Sequence, residues 1–442
     1  MKKNPYRKSL YLIVLFSSLL LLNCSKDDNV TEKVVKPINI SELSSFIVKE
    51  TYLSEGERQR LHRNQGIADF ISTGIFIKPD EKIEFSRELI KGNNNPQILI
   101  GGYSRNFWQD EPDIITIGDS SKSFYNYSNR DAQIFIRYSN ENPTSESKIT
   151  IKGGYKAPAF QLNETTNDEF VVMLSEYSYE DVILRSEKAC LLISKKTALK
   201  YKNQDWNTLL KTINDIIDVE AYIDGLDSSK PVHVPNRNKY YLTESEDSNY
   251  WMAATTYRTF YNSKDAVDFL ASVSLLKNDG WGPWHELGHQ HQISSLTWSD
   301  VVEVTVNIYS LAVERHFNQV SRLKRDGVWR KVFTYLDTPI EKRDYNKQLD
   351  AFEKLAMYQQ LWLKYGDAFF VKLHKKAREE AEELNSDEEK MAYFILKASE
   401  VSGNNLNMFF KEWGLKLSAV SFEAVDNLKL PLPSEDLTLL QD

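Results

Sequence analysis

The stretch Trp281-Gly282-Pro283-Trp284-His285-Glu286-Leu287-Gly288-His289-Gln290-His291-Gln292 constrains this chain more than any other. Two histidines four positions apart share one face of an α-helix, because 3.6 residues complete a turn. His285 and His289 can therefore converge on one cation, and Gly282-Pro283 supplies a turn before their helix. Glu286 lies about 100° round the helix from His285, close to that cation without being needed as a ligand. There it can take a proton from an activated water. Zinc suits such a site, since it accepts imidazole and carboxylate, keeps a fourth position open and lowers the pKa of water to about 7. With seven histidines in 442 residues, His-Glu-x-x-His arises by chance in only about one such chain in a hundred.

Two histidines do not complete a catalytic zinc site, so a third ligand must come from elsewhere. Downstream, Glu303 can sit on a second helix whose Val301, Val304, Ile308 and Leu311 form an apolar face. Asn307, one turn after Glu303 on the same side, could accept the other imidazole N–H of a ligand histidine and fix its tautomer. Glu314 is the competing ligand, about another 16 Å along the same helix. His291, two positions past His289, points away from the metal face. It reads as a polar histidine at the rim, with contact to substrate as its other reading. His62, His233, His316 and His374 lie outside the motif and are given no metal role.

The rest of the chain reads as an α+β protein. With 41% hydrophobic, 27% charged and 12% aromatic residues it has ordinary globular composition and too many aromatics for disorder. A formal charge of −8 offers no surface for nucleic acid. Two cysteines, Cys24 and Cys190, cannot make a disulfide scaffold. Helix signals run through 41–70, with Ser54 opening a charged segment. Short β-branched runs at Gly74–Ile77, Lys82–Phe85, Gln97–Ile100, Gln133–Tyr138 and Lys148–Ile151 predict a β-rich N-terminal subdomain over 46–155. A mixed α/β part is expected over 156–250, with strands at Asp181–Leu184 and Cys190–Ile193 and a helix from Asp205 that stops near Gly225. A mainly helical catalytic subdomain is expected over 251–430, with apolar stripes at Phe352–Trp362 and Leu406–Trp413.

The N-terminus reads as an address. Lys2, Lys3, Arg7 and Lys8 precede an apolar run from Leu10 to Leu22 that ends Leu21-Leu22-Asn23-Cys24. A basic start followed by an apolar stretch too short to span comfortably is the layout of a secretory signal, here 1–23. The run into Cys24 resembles a bacterial lipobox, which implies lipidation of Cys24 and a membrane anchor. Residues 24–45 then form a polar tether, and Ser25-Lys26-Asp27-Asp28-Asn29 resembles the surface-export tag of bacterial lipoproteins. The expected location is the outer membrane, exposed at the cell surface.

At Trp284–Gln292 and Glu303-Val-Thr-Val-Asn-Ile-Tyr-Ser-Leu311 the chain resembles the enhancin-like, mucin-degrading gluzincin peptidases. Weaker landmarks at Gly74–Asp80, Lys156–Phe160, Tyr358–Leu361 and Phe409–Gly414 extend the resemblance over about residues 70–420. It implies a gluzincin-type domain holding one catalytic zinc ion on His285, His289 and Glu303, and mucin-type O-glycoproteins as substrate. Two functions are weighed: a zinc endopeptidase acting on host glycoproteins, and a glycoprotein-binding adhesin with a silent metal site. Glu286 favours the enzyme, since binding alone does not require that carboxylate. Trp251, Trp281, Trp284 and Trp298 could stack on sugars or pack in the core. Nothing in the sequence sets an oligomeric state.

Overall fold

Strict alternation of side chains builds the N-terminal part of the computed structural model, which describes residues 43–105, 111–247 and 249–442. The leader run, Cys24 and Lys26-Asp27-Asp28 lie outside the described residues. Strands Ser44–Lys49, Glu146–Lys152, Lys82–Lys91 and Lys122–Tyr125 form one antiparallel sheet in that order. Strands Tyr155–Lys156, Phe70–Ile77, Ala132–Arg137, Gln97–Ile100 and Asp113–Thr116 form a second. Val48, Ile83, Phe85, Ile149 and Ile151 of the first sheet share a core with Ile98, Ile100, Ile134 and Ile136 of the second. That pairing makes a sandwich.

The second sheet is buried on both faces. Leu99 and Phe135, one residue out of phase with the isoleucines, point the other way and join Phe76, Ile183, Leu192 and Tyr241 in a separate core. This core ties the sandwich to a six-stranded mixed sheet, ordered Ala159–Gln161, Asp181–Arg185, Ala189–Ser194, Tyr240–Ser245, Arg258–Asn262, Met252–Thr255. The helix signals over 41–70 are overruled in most of the described residues: Ser44–Lys49 is a strand, the helix runs only from Ser54 to Arg60, and a strand begins at Phe70. Phe46 and Val48 alternate with exposed neighbours, and the antiparallel partner Glu146–Lys152 supplies the missing hydrogen bonds.

Helix α1 (Trp206–Ile223) crosses between strands Ala189–Ser194 and Tyr240–Ser245 and buries Leu209, Leu210, Ile213, Ile216 and Ile217. Beyond residue 250 the chain is not helical at once. Strands Met252–Thr255 and Arg258–Asn262 first complete the six-stranded sheet, so the mixed part runs past the boundary expected from sequence. Then come α2 (Trp281–His289), α3 (Val302–His316), α4 (Ala351–Tyr365) and α5 (Asp367–Glu380). Their apolar faces merge with that of α1 in one large core. The α+β class expected from sequence is the class observed, a β-rich N-terminal part followed by a largely helical one. Among the described residues no helix is long and apolar enough to cross a membrane.

Candidate metal centre

Helix α2 carries His285, Glu286 and His289, with Pro283 in the first turn, where its missing N–H costs no helical bond. Helix α3 lies directly against it because of Gly288. A Cβ there would come within 2.9 Å of the Val306 carbonyl oxygen and 3.2 Å of the Tyr309 Cβ. The close approach brings the first turn of α3, and Glu303, under the two histidines. Glu303 Oε2 lies 3.0 Å from His285 Nε2 and 3.5 Å from His289 Nε2. One donor atom from each of the three residues falls within 4.8 Å of the others, a group that could hold a metal ion.

The far sides of both rings are tied down. His285 Nδ1 lies 2.8 Å from Asn307 Oδ1, which also accepts the Trp281 indole N–H at 3.1 Å. Asn307 Nδ2 donates to the Glu303 carbonyl at 2.8 Å. His289 Nδ1 lies 2.8 Å from Gln292 Oε1. The sequence reading passed over Gln292; its only signal was an amide three residues past a ligand histidine. The Glu303 side chain is 64% exposed, so the mouth of the site faces solvent, while Glu286, His289, Gln292 and Asn307 behind it are buried.

Electrostatics follow from this placement. Hydrogen bonds from His285 and His289 hold the Glu303 carboxyl far below the usual carboxylate range. Burial raises the pKa of Glu286, against the pull of His285 and His289, which suits a carboxylate that must accept a proton rather than remain a spectator. Burial works to lower the pKa of His285, but the bond to Glu303 and the nearby Glu286 charge outweigh it and raise it.

Two sequence alternatives are placed elsewhere. Glu314 sits at the far end of α3, accepting the Arg322 backbone N–H at 2.9 Å, and burial pushes its carboxyl up to about 7. It is not among the converging groups. His291 is neither on a rim nor open to substrate: it is wholly buried. Because α2 ends at His289, the chain turns inward, and the His291 ring sits against Tyr240 at 2.9 Å, Arg63 at 3.0 Å and Asp224 at 3.1 Å. Burial lowers its pKa to about 4, so it is a neutral interior histidine. Of the four tryptophans that could meet a sugar, Trp281, Trp284 and Trp298 are buried, and Trp251 is exposed.

The model of the family described as Peptidase M60, enhancin and enhancin-like, matches residues 153–414. That is more than half of the chain, and the chain belongs to this family, with a domain of the metallopeptidase type. Among solved structures, a functionally unknown conserved protein from Bacillus anthracis str. Ames is similar with a TM-score of 0.82 and 32% identity, over 91% of this chain and 82% of that one. The M60 catalytic domain of Clostridium perfringens ZmpC, solved in complex with the sialyl T antigen, gives a TM-score of 0.76 at 20% identity, over 90% of this chain and 82% of that one. At that identity the likeness is one of fold. Among curated proteins, TRPM8 channel-associated factor 1 of Bos taurus is 24% identical over 273 residues, 60% of this chain and 28% of the relative. The chain thus spans less than a third of the length of that relative.

Proposed function

We propose that the protein is a zinc-dependent endopeptidase that cleaves glycoproteins, mucin-type O-glycoproteins in particular. The observation that carries this reading is the convergence of His285 Nε2, His289 Nε2 and Glu303 Oε2 beside the buried Glu286 carboxyl. Two neutral nitrogens and one carboxylate oxygen, each imidazole fixed from behind by an amide, are a donor set that fits zinc. Bound there, zinc would supply Lewis acidity, lowering the pKa of water to about 7 and polarising a peptide carbonyl. Glu286 then accepts the water proton and delivers it to the leaving amine, a transfer its buried position favours.

The edge strand Met252–Thr255 gives a peptide somewhere to lie. It ends the six-stranded sheet, pairing on one side only with Arg258–Asn262. It rests on α2 because Gly282 has no side chain: a Cβ there would lie 2.3 Å from Met252 Sδ. Its outer edge offers backbone N–H and C=O groups to an extended chain. At its start stands Trp251, 52% exposed, its indole N–H bonded to Asp265 at 2.7 Å and its ring edge-on to Phe269. A held, open aromatic face beside the first turn of α2 is suited to stack on a sugar carried by the substrate. The glycan bound by the ZmpC domain supports the same reading.

The test is cleavage of a mucin-type substrate before and after enzymatic deglycosylation, with and without chelator. Chelator should abolish cleavage, and deglycosylation should slow it. Trp251→Ala should lower kcat/KM on the glycosylated form about 2- to 10-fold, the value of an aromatic stacking contact of ~0.5–1.5 kcal/mol, with little change on the stripped form. Equal losses on both forms would remove Trp251 from glycan recognition.

The proposed location is the outer membrane, facing outward, through acylated Cys24. Cys24→Ala should release the protein from the membrane fraction or halt its processing. Alanines at Lys26, Asp27 and Asp28 should leave it lipidated but hidden from protease added to intact cells. Full exposure of that triple variant would leave the lipid anchor standing and discard the export tag.

A further inference from the structure

Gln292 is 2% exposed, and both polar atoms of its carboxamide are engaged. One of them lies 2.7 Å from the Val302 carbonyl oxygen and 2.7 Å from Thr305 Oγ1. A carbonyl only accepts, so the atom facing it is the NH2 group, and the opposite atom, 2.8 Å from His289 Nδ1, is the oxygen. An amide oxygen cannot donate. His289 Nδ1 must therefore carry the proton of that bond, and Nε2 is the nitrogen turned towards Glu303.

Asn307 repeats the arrangement on the other histidine. Its nitrogen faces the Glu303 carbonyl at 2.8 Å, and its oxygen accepts from His285 Nδ1. Both amides are thus anchored on carbonyls in the first turn of α3, the turn that carries Glu303. Both are uncharged. A carboxylate in either place would add negative charge behind a ligand ring, whereas an amide fixes the ring and leaves the imidazole a neutral donor. Gln292 differs from Asn307 in lying beyond the end of α2, so it bridges the segment after the histidine helix to α3, where Asn307 reaches back from α3 itself.

We propose that Gln292 is a positioning residue of the metal centre. It selects the Nδ1–H tautomer of His289 and locks that ring to the first turn of α3, so that His289 Nε2 and the Glu303 carboxylate are presented to the ion as a preformed pair. This rests on the zinc reading above. It predicts that the metal site is assembled by the docking of α3 on α2 through two neutral amide bridges, with Glu303 as the one negative charge among the groups that touch the ion or its histidines from behind.

Metal affinity and ring spectroscopy test it without recourse to activity. Zinc dissociation constants of the full chain are measured by chelator competition for the parent, Gln292→Met and Gln292→Glu. Methionine keeps the length of the side chain and loses all three of its hydrogen bonds. Glutamate keeps an acceptor for the His289 proton. Gln292→Met should bind zinc about 10- to 100-fold more weakly than the parent. Gln292→Glu should recover part of that loss. In zinc-loaded parent protein labelled with 15N-histidine, the His289 ring should show its proton on Nδ1, protected from exchange, and that protection should disappear in Gln292→Met. A role in stability alone would lower the melting temperature of the metal-free protein and leave the ring signal and the zinc constant unmoved.

Zinc binding by Gln292→Met at the parent affinity overturns the proposal, and so does a zinc-loaded parent with the His289 proton on Nε2. Should Gln292→Met fail to fold, the parent spectrum decides by itself. A parent that binds no zinc would refute the metal reading and this proposal with it, whereas a parent that binds zinc beside an unaffected variant refutes the role of Gln292 alone.

Discussion

Glu286→Gln is expected to keep zinc near stoichiometric while turnover on a mucin-type substrate falls by at least about 10²-fold. The size follows from what is removed. The amide has the shape of the carboxylate and can fill the same buried place on α2, but it cannot accept a proton from water or return one to an amine. Proton transfer by a positioned side chain contributes about 10²–10⁴-fold, and neither ligand histidine offers a second route. His285 and His289 have their Nε2 atoms turned to Glu303 and their Nδ1 atoms committed to amides. Metal content and steady-state rates on the same preparations decide the matter. A variant as active as the parent would sink the assignment of Glu286. A parent that binds zinc and glycoprotein yet cleaves nothing would return the adhesin reading.

Removing the three converging groups one at a time should empty the site. His285→Ala, His289→Ala and Glu303→Ala should each weaken zinc binding by more than the about 10- to 100-fold that loss of an outer partner costs. Glu314→Ala should bind zinc like the parent, because that carboxyl lies apart from the converging group and accepts the Arg322 backbone N–H instead. Its loss should appear in melting as a small decrease, since the half-buried Arg322 N–H loses an acceptor and a typical hydrogen bond contributes about 0.5–1.5 kcal/mol. Metal analysis of the purified variants reads the first effect and thermal unfolding the second. Zinc lost with Glu314 and kept with Glu303 would exchange the two assignments.

The local parts of this site were legible because helical geometry is repetitive. Spacing by four put His285 and His289 on one face whatever the rest of the chain did, and the same rule set Asn307 one turn behind Glu303. The strands of the sandwich were legible for the same kind of reason. Ile98 and Ile100, Ile134 and Ile136, Ile149 and Ile151 alternate with a period of two, and only a pleated strand turns such residues to one side.

What the sequence left open depended on where an element ends and what stands opposite. His291 and Gln292 follow the histidines by two and three residues, and on a longer helix His291 would have faced outward. The helix stops at His289, so both turn inward, one against Arg63, Asp224 and Tyr240 and the other against α3. Residues 44–49 carried helix signals but became a strand, because a partner about a hundred residues later supplied a ladder of hydrogen bonds that local propensity could not foresee. The sequence by itself determined that two imidazoles would share one helical face, with the Glu286 carboxylate about 100° round the same helix. Only the tertiary structure decided that Glu303, and not Glu314, meets them, because the absence of a side chain at Gly288 lets α3 approach closely at Val306 and Tyr309, about one turn and more beyond Glu303.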